Sequence, residues 1–179
     1  MESKKNLLKW YDEEYCLKAI KQDPLNLQYV KNQTEEICLI AVEQDGYALQ
    51  YVHNPTEKIY SAAIKQNGWA LQYVKNQTEN ICLEAIEQTP WTLEYIQNQT
   101  EKICLEAIKR NGWTLQYIKD QTEKICLMAI KQNGLALKYI KNPTKEMCLE
   151  ALNQNIEAID YIDIKKFPKV YEKYLFMVK

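Results

Sequence analysis

The stretch that decides the fold is residues 100–121, which read TEKICLEAIKRNGWTLQYIKDQ. Its tyrosine belongs to a series spaced 22 residues apart: Tyr29, Tyr51, Tyr73, Tyr95, Tyr117, Tyr139 and Tyr161. A fixed period of this length is typical of proteins built from stacked supersecondary units. Seven copies fill residues 12–165 of the 179-residue chain. We number the positions of each repeat from 1 to 22, starting at its first Thr or Asp, and number the repeats from the N-terminus.

Two helix starts recur in every copy. Position 1 is Thr or Asp, which can cap a new helix, and apolar residues follow at positions 4, 5, 8 and 9, the pattern of a helical face. Position 12 is Asp, Asn or Thr, and Pro24 and Pro90 at position 13 favour the first turn of a second helix. That second helix carries apolar positions 14, 15, 16, 18 and 19 and spans only about two turns.

These patterns predict an all-α protein, an α-solenoid of seven 22-residue helix-turn-helix repeats over residues 12–165. Helices this short are marginal alone, so stacking has to stabilise them. Residues 1–11 are predicted to form an N-terminal half-repeat or cap, since Leu7 and Leu8 fall in register with positions 18 and 19. Residues 166–179 are predicted to form a C-terminal capping helix that begins near Pro168.

The composition restricts the function classes. Lys and Arg number 23 against 24 Asp and Glu, so the chain lacks the basic excess of a dedicated duplex nucleic-acid binder. No apolar run has signal-peptide or membrane-spanning length. We therefore expect an intracellular, cytoplasmic protein that does not enter a membrane.

The six cysteines all occupy position 5: Cys16, Cys38, Cys82, Cys104, Cys126 and Cys148. Their spacing is the repeat length, and each lies on the predicted buried face, where a free cysteine acts as a small hydrophobe. Neighbouring repeats stand roughly 9 Å apart from helix-packing distances, too far for a disulfide. The chain has no C-x-x-C pair and one histidine, so core packing is favoured over metal or redox roles.

Catalytic groups are scarce. The chain holds two serines, Ser3 and Ser61, and one histidine, His53, at position 20, where four other copies carry Lys. Helix geometry predicts that position 20 lies away from the cysteines of position 5, so no nucleophile has a base beside it. The sequence therefore predicts a protein that is not an enzyme and holds no cofactor or metal.

The best candidates for partner binding are the residues of position 14. They include Tyr47, Trp69, Trp91 and Trp113 in consecutive copies, on the rim of the second helix and at i, i+4 to the tyrosine of position 18. These rings either seal the seams between repeats or expose a groove for a peptide or partner helix, since Trp and Tyr are enriched at binding hot spots.

Polar series run beside the aromatic rim, with Gln in most copies at positions 11 and 17 and Lys31, Lys75, Lys119 and Lys141 at position 20. Solvated faces are the default interpretation of such series. A single-stranded nucleic-acid binder that combines Trp69, Trp91 and Trp113 with these lysines is the alternative, although the near-neutral charge argues against it.

The phrases Ile-Cys-Leu-Glu-Ala-Ile at residues 81–86 and Lys-Gln-Asn-Gly-Trp-Ala-Leu-Gln-Tyr-Val-Lys-Asn-Gln-Thr at residues 65–78 resemble the tandem-repeat family named domain of unknown function 4116. The resemblance covers nearly all of residues 12–165. It implies short helical repeats and a viral source, because the family is common in giant DNA viruses that infect amoebae and occurs in some bacteria. We expect a non-catalytic scaffold for a protein or peptide partner, with self-association through an incompletely capped end.

Overall fold

The computed structural model describes residues 8–178, and an α-helix of ten residues recurs once per repeat. The seven helices are α1 (Glu13–Gln22), α2 (Glu35–Gln44), α3 (Glu57–Gln66), α4 (Glu79–Gln88), α5 (Glu101–Arg110), α6 (Glu123–Gln132) and α7 (Lys145–Gln154), and α8 (Pro168–Met177) follows them. No strand occurs in this part of the chain. The predicted all-α repeat fold is confirmed.

Each first helix begins where its sequence predicts. The residue at position 1 has extended backbone, and its side-chain oxygen accepts a hydrogen bond from the backbone N–H three residues later, as from Ile37 to Thr34. Asp12 plays the same role for α1, accepting from Tyr15 N at 2.7 Å. Positions 4, 5, 8 and 9 are buried in most repeats, so the helical face read from the sequence is the core face.

The second element of each repeat is a 3₁₀ helix, whereas the sequence pattern predicts a short α-helix. These six-residue helices are Pro24–Tyr29, Gly46–Tyr51, Gly68–Tyr73, Pro90–Tyr95, Gly112–Tyr117, Gly134–Tyr139 and Ile156–Tyr161. With three residues per turn, positions 13, 16 and 19 lie on one line. In repeat 4, Leu93 and Ile96 of this line are buried, and Thr92 at position 15 is buried beside them.

Glycine at position 13 allows a close approach between the 3₁₀ helix of one repeat and the α-helix of the next. All four glycines have negative φ, so none is needed for a left-handed turn. A Cβ on Gly46 would lie 2.5 Å from the carbonyl oxygen of Ala63 in the next repeat, which is far inside van der Waals contact. The 3₁₀ helix of repeat 2 can therefore sit against the end of α3 only without a side chain there.

The chain divides into two compact units, one up to Ile96 and one from Gln97 onward. In the first unit α1, α2, α3 and α4 pack in sequence. The 3₁₀ helices of repeats 1 to 3 contact both their own α-helix and the next one, and that of repeat 4 contacts its own. In the second unit α5, α6, α7 and α8 pack in the same way. Each unit is thus a stack of repeats held by contacts between neighbours in sequence.

The segments outside the repeats contain helix where they are described. Of the predicted N-terminal half-repeat, residues 1–7 lie outside the described residues, and Lys9–Tyr11 form a 3₁₀ turn. Trp10 of this turn packs against Tyr29 at a ring-centroid distance of 5.0 Å. At the other end α8 packs against α7 with Val170 fully buried. Among residues 8–178, no helix is both long and apolar enough to cross a membrane.

Candidate functional site

The aromatic residues Tyr47, Trp69 and Trp113 of position 14 each lie at a seam between repeats. Tyr47, Trp69, Trp91 and Trp113 are all half-buried. Trp69 meets the ring of Tyr95 edge-on at 5.9 Å, and Tyr47 meets Tyr73 at 6.1 Å. In the second unit Trp113 meets Tyr139 at 5.8 Å. Each of these contacts joins position 14 of one repeat to position 18 of the following repeat.

The predicted i, i+4 pairing within one repeat is therefore wrong. In an α-helix, residues four apart differ by about 40° around the axis. In a 3₁₀ helix they differ by about 120°, so position 18 turns away from position 14 of its own repeat. The tyrosine of the next repeat takes the contact instead. Tyr47, Trp69 and Trp113 are only partly buried, so these rings combine a seam contact with an accessible edge.

Glutamine at position 22 joins neighbouring repeats, a role that the sequence patterns did not predict. Gln33 donates from Nε2 to the carbonyl oxygen of Tyr51 at 2.9 Å, and its Oε1 accepts from His53 N at 2.9 Å. Both partners lie at the end of the next 3₁₀ helix. In the second unit Gln121 makes the same two bonds, to Tyr139 O and from Lys141 N. The side-chain amide of Gln33 thus supplies hydrogen-bond partners for the C=O of Tyr51 and the N–H of His53 at the end of the 3₁₀ helix.

Glutamine at position 11 joins repeats in the opposite direction. Gln66 accepts a hydrogen bond from Gly46 N at 2.6 Å and donates to Gln44 O at 3.1 Å, both in the preceding repeat. Gln154 likewise accepts from Gly134 N in the second unit. These two seams are the ones in which position 22 is proline, Pro55 and Pro143. Proline has no side-chain amide, so it cannot make the bonds of position 22, the first clamp; the bond that the glycine N–H donates to the glutamine of position 11, the second clamp, stands there instead. Gln132 also reaches back, donating to Lys109 O at 3.0 Å in a seam that keeps Gln121, so a link from position 11 is not confined to proline seams.

The remaining polar series also serve local structure. Gln28, Gln50, Gln72 and Gln116 at position 17 donate to the carbonyl oxygen of position 14 three residues earlier, at 3.0 to 3.2 Å. Lys31, Lys75, Lys119 and Lys141 at position 20 are exposed, and Lys119 Nζ donates to Gln97 O at 3.1 Å. Of these polar series, the exposed lysines of position 20 are the ones that could contact phosphate groups, as the nucleic-acid alternative requires.

The six cysteines are buried and free, as predicted. Burial, helped by the carboxylate of Glu35, raises the pKa of Cys38 to about 11, and burial beside Glu79 does the same for Cys82. Burial raises the pKa of the other four thiols as well. A protonated, packed thiol is the reverse of a catalytic cysteine, whose pKa is lowered.

The structure brings His53 closer to a cysteine than helix geometry predicted. His53 and Cys38 line one depression of about 310 Å³, together with Lys31, Glu35 and Thr56. The side chain of Gln33 is bonded to both, since its Oε1 also receives the Cys38 thiol at 3.7 Å. The thiol of Cys38 thus donates a weak hydrogen bond to the side-chain amide of Gln33. Ser61 lies on the outward face of α3, in a different depression.

The outward faces of the α-helices carry a second candidate surface. Leucine at position 6, present in six of seven repeats, is half-buried rather than part of the core. Leu39 lines a depression of about 490 Å³ between α2 and α3, and Leu127 lines one of about 810 Å³ beside α6. The sequence contains a signal for this apolar surface, because the recurrent leucine of position 6 lies outside the buried arc of positions 4, 5, 8 and 9. No group of three His, Cys, Asp or Glu within residues 8–178 has a metal-binding arrangement.

Comparison with known families agrees with this architecture. The model of the domain of unknown function 4116 matches residues 12–55, 56–99, 100–143 and 122–167. Each of the first three matches spans two of the 22-residue repeats defined by the tyrosines. Searches of curated proteins and of solved structures found no significant match. Because the matched segments together cover most of the chain, the protein belongs to the family of the domain of unknown function 4116.

Proposed function

We propose that this protein is a non-catalytic repeat scaffold that binds a protein or peptide partner through the outward-facing side chains of its repeats. The observation that carries this proposal is a division of the repeat into positions that join the copies and positions that vary between them. Many of the residues that recur hold the repeats together, whereas positions 3, 7, 10 and 14, which lie outside the buried core, differ from copy to copy. A constant framework under a varied surface is the arrangement by which stacked repeats recognise partners.

Position 14 illustrates the division. It reads Leu25, Tyr47, Trp69, Trp91, Trp113, Leu135 and Glu157, although the neighbouring positions 15 and 16 keep small and branched apolar residues in most copies. A half-buried ring whose identity is free to change suits contact with a partner. Tyr47, Trp69, Trp91 and Trp113 are therefore our candidate contact residues on this side of the repeats.

The state of the recurrent reactive groups supports a non-catalytic role. The cysteines have raised pKa values, and the amides of positions 11 and 22 are engaged with backbone groups. None of these groups is poised as a nucleophile, base or oxyanion donor aimed at a common point.

Affinity capture followed by direct binding tests the proposal. The bait is the full chain, and the resemblance to viral repeats makes amoebae infected with a giant virus the first source of lysate. The matched variant is Trp69→Leu, Trp91→Leu, Trp113→Leu, because leucine already stands at position 14 in two repeats. We expect a captured protein to bind the purified wild type in titration calorimetry and to bind this variant at least about tenfold more weakly, about 1.4 kcal/mol.

Two results would count against the proposal. If no captured protein binds the purified chain directly, the scaffold role fails. If the chain instead binds single-stranded RNA in fluorescence anisotropy with strong salt dependence, and the leucine variant does not, the nucleic-acid alternative replaces it.

A further inference from the structure

Repeat 3 departs from the others on the outward face of its α-helix. Position 6 is leucine in six repeats but Ser61 here, and position 7 is Ala62, where the other copies carry Lys18, Ile40, Glu84, Glu106, Met128 and Glu150. Two adjacent long side chains are thus replaced by two of the smallest. Both small residues are half-buried, so the change removes volume from the surface of α3.

The missing volume forms part of a depression between α2 and α3. It measures about 490 Å³ and is lined by Leu39, Ser61 and Ala62, with Glu43 on the α2 side and Lys58 and Lys65 on the α3 side. Its lining combines apolar and charged side chains, which suits the binding of an amphipathic segment.

The lysines of this groove are free to meet a partner. Lys58 occupies position 3, and the corresponding Lys124 of repeat 6 pairs with Glu101 of the preceding repeat at 2.9 Å. The equivalent carboxylate for Lys58 is Glu35, which accepts a hydrogen bond from Thr56 Oγ1 at 2.9 Å instead. Within residues 8–178, neither Lys58 nor Lys65 has an ion-pair partner.

We propose that this groove binds an acidic amphipathic helix of a partner protein, which seats bulky apolar side chains on Leu39 and Ala62 and places carboxylates against Lys58 and Lys65. This inference rests on the proposed scaffold function and names the partner class for repeat 3. The charges favour an acidic occupant, since two unpaired ammonium groups face one carboxylate, that of Glu43.

The spacing of the lysines sets the pattern of the partner. Lys58 and Lys65 are two turns apart on α3, about 10 Å along its axis. A helix lying along α3 therefore matches them with carboxylates at i and i+7. Its apolar residues at i+3 and i+4 then fall between the two carboxylates, over the small residues.

The probe is a fluorescein-labelled, alanine-rich helical peptide that contains the segment EAALLAAE. Two matched peptides carry KAALLAAK or EAASSAAE, and binding is followed by fluorescence anisotropy at low and moderate salt. We expect the acidic leucine peptide to bind the full-length protein at least about tenfold more tightly than either control, with an affinity that falls as salt rises.

Ser61→Leu is the decisive variant, because it fills the groove with the residue that the other six repeats carry at this position. We expect it to keep the thermal unfolding midpoint and to bind the acidic peptide at least about tenfold more weakly. Lys58→Glu with Lys65→Glu should reverse the preference toward the basic peptide. Lys124→Glu with Lys131→Glu in repeat 6 is the control and should leave binding unchanged.

Equal binding of the acidic peptide to the wild type and to Ser61→Leu overturns the proposal, as does the absence of binding at about 1 mM peptide. This failure is distinguishable from failure of the scaffold role. A captured protein that binds the wild type and loses affinity for the Trp-to-Leu variant, but not for Ser61→Leu, leaves the scaffold standing and removes the groove of repeat 3.

Discussion

Two neighbouring seams of the first unit solve the same problem with different residues. Between repeats 1 and 2, Gln33 bonds to Tyr51 O and His53 N and receives the thiol of Cys38. Between repeats 2 and 3, position 22 is Pro55 and position 5 is Tyr60, which is buried in place of the cysteine. There Gln66 takes over the joining role, through Gly46 N and Gln44 O.

The difference teaches that a seam needs both backbone pairing and filled volume, and that each can come from more than one position. The second unit separates the two requirements. Its Pro143 seam uses Gln154 on Gly134 N, yet keeps Cys148 at position 5. In both proline seams the glycine N–H is bonded to the glutamine of position 11, whereas Tyr60 is found in only one of them and is a separate feature of repeat 3.

The largest expected effect on the free energy of unfolding comes from replacing the buried side chain of Tyr60 by a smaller one. Tyr60→Cys should lower the free energy of unfolding by about 3 kcal/mol, because a large buried ring is replaced by a small side chain and its neighbours collapse only in part. Chemical denaturation measures it. Adding Pro55→Gln should recover about 1 kcal/mol by supplying the amide clamp. A double variant no more stable than Tyr60→Cys would show that the two seam types are not interchangeable.

Removing the clamp of the first seam should cost less. Gln33→Ala leaves Tyr51 O and His53 N without their side-chain partner, at a cost of about 2 kcal/mol. Gln22→Ala, at the exposed position 11 of repeat 1, is the control and should change stability by less than about 0.5 kcal/mol. Equal effects of the two substitutions in denaturation would remove the joining role of Gln33.

The clamp of the second seam should contribute somewhat less again, because Gln66 itself is exposed. We expect Gln66→Ala to lower the free energy of unfolding by about 1 kcal/mol, by leaving the N–H of buried Gly46 unpaired. Thermal unfolding of Gln66→Ala beside Gln22→Ala checks it. If Gln66→Ala costs as little as the control, Pro55 leaves its seam unclamped and packing alone holds repeats 2 and 3 together.

The last stability prediction concerns the pH dependence of the first seam, which appears only in alkaline solution. The pKa of Cys38 is raised by folding from about 9 to about 11, so the native state keeps its proton where the unfolded state loses it. Stability is therefore full below pH 9 and falls as the pH rises through 11. Cys38→Ala should show a shallower loss over this range than the wild type in urea titrations. An identical slope would contradict the burial of this thiol.

Much of this fold could be predicted from the sequence because its signals are local. The cap residues of positions 1 and 12 and the apolar face of positions 4, 5, 8 and 9 each act within one helix, and the structure has them where the pattern predicts. The burial of the six cysteines followed from the same face. The 3₁₀ form of the second helix did not follow, since six residues are too few to distinguish periods of 3.0 and 3.6.

The contacts between repeats could not be predicted in the same way. The partner of Trp69 is Tyr95, 26 residues away, and it follows only from the turn angle of a 3₁₀ helix and the stacking of repeats. Gln66 belongs to the position-11 series, for which a solvated face was the default interpretation, and the glutamine of position 22, as at Gln33, was not singled out. One signal was available, because a glutamine that recurs at a loop position, where no helix needs it, points to a specific hydrogen bond.

Amide hydrogen exchange of the native protein tests the central claim, that recurrent side chains join the repeats, most directly. The N–H of His53 is bonded to the side chain of Gln33. The equivalent N–H of Lys75 lies in the seam where position 22 is Pro55, which has no side-chain amide to accept it. We predict that the amide of His53 exchanges at least about tenfold more slowly than that of Lys75, and that Gln33→Ala abolishes this protection while Gln22→Ala preserves it. Equal exchange of the two amides in the wild type, or protection of His53 that survives Gln33→Ala, would contradict the account.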